Sequence, residues 1–486
     1  MRRSLSSHCA VERRGAFMLE NFSAASKNLI SMKTFIKAFI LAAAIAVSHG
    51  LFAETKTEGG YTLTLKASRP SALYAAGETA EFVLSVSKGG KPFAGAELDV
   101  LISKDNVAPF IRSKKKNAAA EERFTASLSE PGFLKCRITA KLAGVKQPVS
   151  MLAGAGFDAL KISPSLPVPE DFAKYWDDQK KLLAQIPLNM EISERNNVLL
   201  GNRGVEADAK KSVDLYIVKA DTFGGKLDAY MAKPKNAQKG KHPIIILPHG
   251  AGVRFSRFGG FFGAAAWAKE GFIALDFNAL GLDSDAGADK LKEWQKQHRG
   301  YPFKNADSRD TNFFRTLYLR LCRAMDVAMA QPEWDGKTLV VFGTSQGGGQ
   351  ALAAGGLYRD KVSMVCAFVP ALCDQTGFKK NRVNGWPHYI KRDAGGNYAN
   401  PDEKLAQAIR YIDAMNFAAF IKAPTVFVVD LADDTCEPTS CFAAFANIKA
   451  PKTLITNPEA RHTVPAQCYR NVMSKVFEHA KANAKK

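Results

Sequence analysis

Hydrophobic and polar residues alternate with a period of two in a segment that begins at Tyr61 and extends for about 100 residues. Turn residues such as Gly89-Gly90-Lys91-Pro92 separate the runs, which are Tyr61–Leu65, Glu81–Val86, Glu97–Val100 and Gly132–Ile138. This period is typical of half-buried antiparallel strands. The pattern predicts a small, all-β, immunoglobulin-like sandwich over residues 54–160.

A proline-rich connection follows the alternating segment. Pro164, Pro167 and Pro169 precede an amphipathic stretch over residues 170–184, for which we expect a helix. We therefore place the domain boundary near residue 160.

The pattern changes again beyond Val213. Short apolar runs alternate with longer amphipathic segments, as expected for buried parallel strands joined by crossover helices. Residues 161–486 are therefore predicted to form an α/β domain with a mostly parallel sheet. Its predicted strands are Pro243–Leu247, Phe272–Leu275, Thr338–Phe342, Val362–Val369, Thr425–Val429 and Lys452–Thr456.

The N-terminal region contains a predicted export signal over residues 32–53. Lys33 and Lys37 form a basic start, Phe39–Val47 an apolar centre and Leu51-Phe52-Ala53 a cleavage site before Glu54. We expect a periplasmic or secreted protein; a buried or membrane-anchoring helix is the alternative. Residues 1–31 form a polar extension, and a translation start at Met32 would leave it untranslated.

Chain length bears on the number of domains, and net charge bears on the partners that the protein can bind. The 486 residues exceed one ordinary core, which supports two domains. The net charge is +20, but the basic residues are scattered, and Lys114-Lys115-Lys116 is the only tight run. No nucleic-acid-binding motif accompanies them, so we expect no nucleic-acid partner. No long apolar segment other than the signal predicts a membrane span.

The cysteine spacing argues against a zinc ribbon or a redox motif, because the eight cysteines include no C-x-x-C pair. Loss of Cys9 with the signal leaves an odd number, so at least one thiol is free or pairs between chains. An exported protein can contain a disulfide, but the spacing does not select a pair.

The clearest chemical motif is Gly343-Thr344-Ser345-Gln346-Gly347, which lies between a predicted strand and a predicted helix. A G-x-S-x-G sequence in this position predicts a nucleophile elbow, in which a tight turn exposes the serine hydroxyl. Ser345 is therefore the predicted nucleophile.

A serine needs a base, which in this fold follows it in the chain. Three histidines qualify by order. His479 lies in a predicted surface helix and His388 in an irregular loop before the last strands, whereas His462 follows the last predicted strand. Active-site groups of parallel sheets gather at such positions, so His462 is the predicted base.

The third member should be a carboxylate that orients the base. The loop after Thr425–Val429 contains Asp433 and Asp434, and position alone does not separate them. Asp374, after the preceding strand, is an outside candidate.

The oxyanion formed by serine attack needs backbone donors. In this fold they come from the residue after the nucleophile, here Gln346, and from a loop after an early strand. We assign the second amide to Ala251 in Pro248-His249-Gly250-Ala251-Gly252. His249, on the same loop, is expected to have a structural role.

Together these residues resemble the acetyl xylan esterase and cephalosporin C deacetylase family of α/β-hydrolases, over most of residues 164–486. Residues 169–176 look like its leading helix, His249-Gly250 its oxyanion loop and residues 343–348 its nucleophile motif. Asp433-Asp-Thr-Cys-Glu-Pro438 resembles its acid loop, and this resemblance favours Asp433 over Asp434.

Three positions depart from the family pattern. Asn278-Ala279-Leu280 aligns with its Arg-Gly-Gln motif, Ala251 replaces a tyrosine and Thr463 replaces a glutamate. These departures leave the substrate pocket and any homo-oligomeric assembly open. They suggest a divergent bacterial branch with an added N-terminal sandwich.

The resemblance and the predicted export imply a serine esterase that removes acetyl groups from poly- or oligosaccharides through an acyl-enzyme, with no metal or organic cofactor. Two alternatives remain. One is a general carboxylesterase or peptidase of the same fold, and the other is an inactive carbohydrate-binding protein.

Overall fold

The computed structural model describes residues 54–105, 107–195, 209–253, 263–284, 286–393, 398 and 402–485. The predicted signal at 32–53 and the extension at 1–31 lie outside these ranges. The described residues belong to one compact unit. Within the described ranges, no helix has the length and apolar character needed to cross a membrane.

The N-terminal region consists of two β-sheets that pack face to face. The first has the order β1-β2-β4-β5 with β8 beside β4, and the second has the order β3-β10-β9-β6-β7. Pairing is antiparallel except between β3 and β10. The strands are β1 (Glu54–Glu58), β2 (Tyr61–Ala67), β3 (Leu73–Tyr74), β4 (Thr79–Lys88), β5 (Lys91–Pro92), β6 (Ala96–Lys104), β7 (Ile111–Ala118), β8 (Glu121–Ser127), β9 (Gly132–Lys141) and β10 (Val149–Phe157).

The C-terminal region contains a nine-stranded sheet with the order β11-β12-β13-β15-β14-β16-β17-β18-β19. The strands from β14 to β19 are parallel, as the sequence predicts, and the antiparallel strands β11 to β13 extend one side. The strands are β11 (Glu191–Glu194), β12 (Val213–Thr222), β13 (Gly225–Pro234), β14 (His242–Leu247), β15 (Ile273–Phe277), β16 (Trp334–Thr344), β17 (Met364–Phe368), β18 (Thr425–Asp430) and β19 (Lys452–Asn457).

Helices join and cover these strands. The predicted first helix is observed as α1 (Phe172–Ala184). The others are α2 (Ala209–Ser212), α3 (Ala264–Lys269), α4 (Ala288–Gln297), α5 (Phe313–Met329), α6 (Gln346–Leu357), α7 (Glu403–Ala408), α8 (Ala414–Ala418), α9 (Pro438–Asn447) and α10 (Ala466–Ala484), with 3₁₀ turns at Ala159–Lys161, Tyr301–Phe303, Gly377–Lys380 and Ile409–Tyr411.

Side chains of the parallel strands alternate between two hydrophobic cores. In β16, Leu339 and Val341 enter a core that also contains α5 and α6, whereas Val340 enters a second core with α3 and α10. A strand buried on both faces reads as a continuous apolar run, which explains why the sequence identifies these strands. The result is an α/β-hydrolase fold with a helical layer on each side of the sheet.

The first of these cores continues into the sandwich. It includes sandwich residues such as Leu65 and Ile138 together with residues of α5 and α6. The boundary near residue 160 stays a prediction, because the two regions share buried apolar surface. Within the described ranges all seven cysteines have free thiols and are buried.

Trp267 is the largest completely buried side chain of the described residues, and its ring contacts Phe272, Phe342 and Phe477. We expect Trp267→Ala to lower the free energy of unfolding by about 3–5 kcal/mol, because it leaves a large cavity. Phe110→Ala, at a side chain that is 54% exposed, should change it by less than about 0.5 kcal/mol. Urea unfolding of both variants tests this; equal losses would contradict the packing argument.

Candidate active site

Ser345 lies at the turn between β16 and α6, with a φ of +61° that is rare outside glycine. Two glycines allow this turn. A Cβ at Gly343 would lie 2.1 Å from the carbonyl oxygen of Gly347, and a Cβ at Gly347 would lie 2.2 Å from that of Pro248. No side chain fits at either position, so the motif glycines are required by close backbone contact.

The helix that follows Ser345 favours negative charge beside the serine. Helix α6 begins at Gln346, and the unpaired amides of its first turn point toward its N-terminal end. Gln346 is buried. A developing oxyanion at this end would meet backbone donors and the positive end of the helix dipole.

The structure brings three predicted residues into one hydrogen-bonded chain. His462 Nε2 lies 2.9 Å from Ser345 Oγ, and His462 Nδ1 lies 2.7 Å from Asp433 Oδ2. The histidine follows β19 and the aspartate follows β18. Because parallel strands end at the same sheet edge, residues far apart in sequence meet there.

Asp433 is completely buried, and backbone donors stabilise its carboxylate. Its second oxygen, Oδ1, accepts hydrogen bonds from the amides of Thr435 at 2.8 Å and Cys436 at 2.9 Å. One carboxylate oxygen of Asp433 is therefore hydrogen-bonded to the loop backbone and the other to His462. This arrangement holds the imidazole with Nδ1 protonated and Nε2 free to accept a proton from the serine.

Asp434 has different partners from Asp433. Its carboxylate accepts hydrogen bonds from Arg461, which precedes the histidine, and from Arg137 of the sandwich. Burial tends to raise the pKa of Asp434, but the guanidinium groups of Arg461 and Arg137 together outweigh burial and lower this pKa. Asp434 thus joins the acid loop to two neighbouring segments.

The surroundings of His462 raise its pKa above the ordinary value of 6.5. Burial alone would lower the pKa, because it disfavours the charged ring. The hydrogen bond and negative charge of Asp433, with the charges of Asp430 and Asp434, outweigh that effect. A charged His462 is therefore stabilised, as a base that takes up the serine proton requires.

The alternative residues named from the sequence have other partners. His479 Nε2 lies 3.0 Å from Ser363 Oγ, and His388 Nδ1 lies 2.8 Å from the carbonyl of Asn384. Asp374 is buried and forms an ion pair with Arg382 at 2.7 Å. It also accepts the amide of Ser165 at 3.2 Å, so Asp374 connects the proline-rich segment to the α/β region.

The predicted oxyanion loop lies directly beside the nucleophile. A Cβ at Gly250 would lie 3.8 Å from Ser345 Cβ. His249 is hydrogen-bonded to Asp276 through Nε2, and its carbonyl accepts from the Gln350 side chain at 3.1 Å. These contacts are consistent with the structural role expected for His249.

Tyr301 joins the two segments that contain the predicted oxyanion amides of Ala251 and Gln346. Its hydroxyl accepts the amide of Gly252 at 3.2 Å and donates to the Gln346 side chain. Sequence reasoning did not identify Tyr301, because it lies in a 3₁₀ turn remote from every motif.

The same site contains a possible set of metal ligands. A carboxylate oxygen of Asp433, the Cys436 sulfur and a ring nitrogen of His462 lie within 4.8 Å of one another. In the arrangement described, however, both ring nitrogens are committed to Ser345 and Asp433. These two hydrogen bonds use both His462 ring nitrogens and one oxygen of Asp433.

Asn278 and Ala279, two positions that depart from the family motif, form hydrogen bonds that involve the backbone. The Asn278 side chain accepts the amide of Leu280 at 3.0 Å, and Arg320 donates to the carbonyl of Ala279 at 2.7 Å. This segment therefore shapes the loop after β15.

Comparison with known proteins identifies relatives of this chain. A model of the acetyl xylan esterase family matches residues 158–479. The chain is similar to the acetyl esterase Axe7A of Xylanibacter ruminicola, with 29% identity over 397 residues, covering 80% of this chain and 84% of the relative.

Two solved structures share the fold. An acetyl xylan esterase from Paenibacillus sp. R4 has a TM-score of 0.53 at 24% identity, and acetyl xylan esterase 1 from Thermoanaerobacterium sp. JW/SL YS485 has 0.54 at 23%. Each alignment covers 66% of this chain and 98% of the other.

The raised pKa of His462 predicts how Ser345 reactivity depends on pH. Only neutral His462 can accept the serine proton, so modification of Ser345 by an organophosphorus reagent should slow as pH falls through the raised pKa. For the wild type we expect the midpoint of this pH dependence to lie above pH 6.5. For Asp433→Asn we expect a lower midpoint than in the wild type, because the variant lacks the main charge that raises the pKa of His462. Labelling rates between about pH 5 and 9 test this; an unchanged midpoint in the variant would contradict it.

Proposed function

The chain belongs to the acetyl xylan esterase family, and on that premise we propose that it removes acetyl groups from carbohydrate esters through an acyl-enzyme on Ser345. The observation that carries the proposal is the chain of hydrogen bonds from Ser345 through His462 to Asp433, at 2.9 and 2.7 Å. These contacts join a nucleophile, a base and an orienting acid in the order that acyl transfer requires.

In the first half-reaction Ser345 Oγ attacks the carbonyl carbon of the acetyl ester. His462 Nε2 accepts the hydroxyl proton, and Asp433 stabilises the resulting imidazolium. The amides of Ala251 and Gln346 bind the oxyanion. The tetrahedral intermediate then breaks the bond to the sugar oxygen, which takes the proton from His462 and leaves as an alcohol.

In the second half-reaction a water molecule attacks the acetyl-serine. His462 accepts a proton from this water and then returns it to Ser345 Oγ as the acyl bond breaks. Acetate leaves and the free serine is restored. Each half-reaction uses His462 first as base and then as acid, so one histidine serves both.

Carbohydrate esters are the substrate class that the relatives support. The family model and the two solved structures are named for acetyl xylan esterases, and the Xylanibacter ruminicola relative is named an acetyl esterase. Ala251, which replaces a tyrosine of the family pattern, follows Gly250 on the loop beside Ser345. For this reason we extend the proposal to acetylated carbohydrates in general rather than to xylan alone.

We also propose that the protein is exported and that the mature chain begins at Glu54. The apolar segment at residues 39–47 and the small residue before Glu54 support this. The corresponding domain organisation is a sandwich over 54–160 and a catalytic domain over 161–486, supported by sheets that separate between β10 and β11.

Ser345→Ala tests the proposed nucleophile. We expect kcat for a small acetyl ester to fall by about 10⁶-fold, because binding and the oxyanion amides cannot replace the attacking oxygen. The wild type should hydrolyse acetyl esters and acetylated xylan faster than butyryl esters and should not cleave peptides. Near-normal kcat in pure Ser345→Ala would overturn the mechanism, and peptide or butyryl preference would overturn the substrate class.

Paired variants separate the two neighbouring aspartates. Asp433→Asn should lower kcat by about 10⁴-fold, because the imidazole would adopt the wrong tautomer. Asp434→Asn keeps the shape of the side chain and loses only charge toward Arg461 and Arg137, so we expect a loss of at most about tenfold. Kinetics on one acetyl ester, with thermal melting as a folding check, decide between them. A severe loss confined to Asp434→Asn would reverse the assignment.

A further inference from the structure

Strand β9 of the sandwich lies against the loop that contains Asp433. Alternate residues of this strand share one face. On this face, they contact the acid loop and the helix α9 that follows it. The ring of Phe133 packs against Phe442 of α9, and Arg137 pairs with Asp434 at 3.4 Å. Lys135 lies between them on the same face.

Lys135 reaches the peptide backbone of the acid itself. Its ammonium group donates to the carbonyl of Leu431 at 2.9 Å and to the carbonyl of Asp433 at 2.7 Å. The side chain is completely buried, and the carboxyl group of Glu437 lies 3.7 Å away. A buried ammonium group is costly unless it is paired and hydrogen-bonded, so these contacts hold it at one place.

Gly154 of strand β10 completes the contact. It is the cross-strand neighbour of Lys135. A Cβ at Gly154 would lie 2.0 Å from the carbonyl oxygen of Leu431 and 2.6 Å from its carbonyl carbon. The acid loop therefore lies directly on the sandwich backbone, in space that only glycine leaves open.

The loop that contains the histidine is tied to the same surface. Arg461, next to His462, forms an ion pair with Asp434, and its guanidinium lies 3.9 Å from Glu54 of β1. Thr439, at the start of α9 directly after the acid loop, donates a hydrogen bond to Asp105 in the loop that follows β6. Four parts of the sandwich, namely β1, the loop after β6, β9 and β10, thus contact the acid loop, the histidine loop or the start of α9.

We propose that Lys135 is a positioning residue for the triad acid, and that the sandwich serves as the surface on which the Asp433 loop is held in register with His462. This inference rests on the proposed function, since it gives the sandwich a role in that reaction. Loss of the ammonium group would leave the carbonyls of Leu431 and Asp433 without a buried donor. The loop would then move toward solvent, and Asp433 with it.

A displacement of this kind should affect turnover rather than substrate binding. A shift of about 1 Å in a group that orients the base can lower the rate by about 10²-fold. The amide of Ala251 lies on another loop and that of Gln346 at the start of α6, so both would remain in place. Lys135→Met keeps much of the side-chain volume and removes only the donor, so it isolates this contact.

The test compares Lys135→Met and Gly154→Ala with Cys136→Ala in the full chain. Cys136 is buried on the same strand but on the opposite face, inside the sandwich, so it controls for general loss of stability. We expect both test variants to lose about 10²-fold in kcat on a small acetyl ester, with KM changed by less than about three-fold. The rate at which an organophosphorus reagent labels Ser345 should fall in parallel.

All assays are made well below each melting temperature. A kcat within about two-fold of the Cys136→Ala control, or a loss confined to KM, would overturn the inference. Should Lys135→Met fail to fold, Gly154→Ala decides by the same criteria. Ser345→Ala is measured alongside: if it is inactive while Lys135→Met is fully active, only this inference fails, whereas activity in Ser345→Ala removes the proposed function itself.

Discussion

The carboxylate of Asp433 is completely buried, and a buried charge is stable only where donors surround it. Two loop amides satisfy one oxygen and His462 satisfies the other. This requirement determines the shape of the acid loop, the tautomer of the histidine and the direction in which its free nitrogen faces Ser345. The same contact helps to raise the pKa of His462: burial lowers this pKa, but the hydrogen bond and charge of Asp433, together with the charges of Asp430 and Asp434, outweigh burial.

The parallel sheet makes this contact possible across a long stretch of chain. The elbow follows β16, the acid loop follows β18 and the histidine loop follows β19, and all three strands run in the same direction. Their carboxyl ends share one edge, so each loop needs only a few residues to reach the others. The close backbone contact of Gly347 with Pro248 brings the oxyanion loop to the same point.

Residues of the sandwich pack against the loop that contains Asp433. Its hydrophobic core is continuous with that of one helical layer, and its strand β9 presents Phe133, Lys135 and Arg137 to the acid segment. An arrangement of this kind couples the contacts between the sandwich and the acid loop to the geometry of the site. Changes at the interface between the sandwich and the acid loop should therefore alter turnover as well as the melting temperature.

Elements with a strong local pattern could be predicted from the amino-acid sequence. The parallel strands are continuous apolar runs, and the elbow is a short motif whose glycines are required by local crowding, so the strand–turn–helix around Ser345 and the α/β-hydrolase fold were predictable. For the acid, local reasoning left Asp433 and Asp434 open, and only a family resemblance separated them. The reason is physical: two adjacent carboxylates in a loop differ only in what the folded chain places beside them, here His462 for one and Arg461 for the other. Lys135, Gly154 and Tyr301 carry no local signal either, because their partners lie on distant segments that meet only in the tertiary structure.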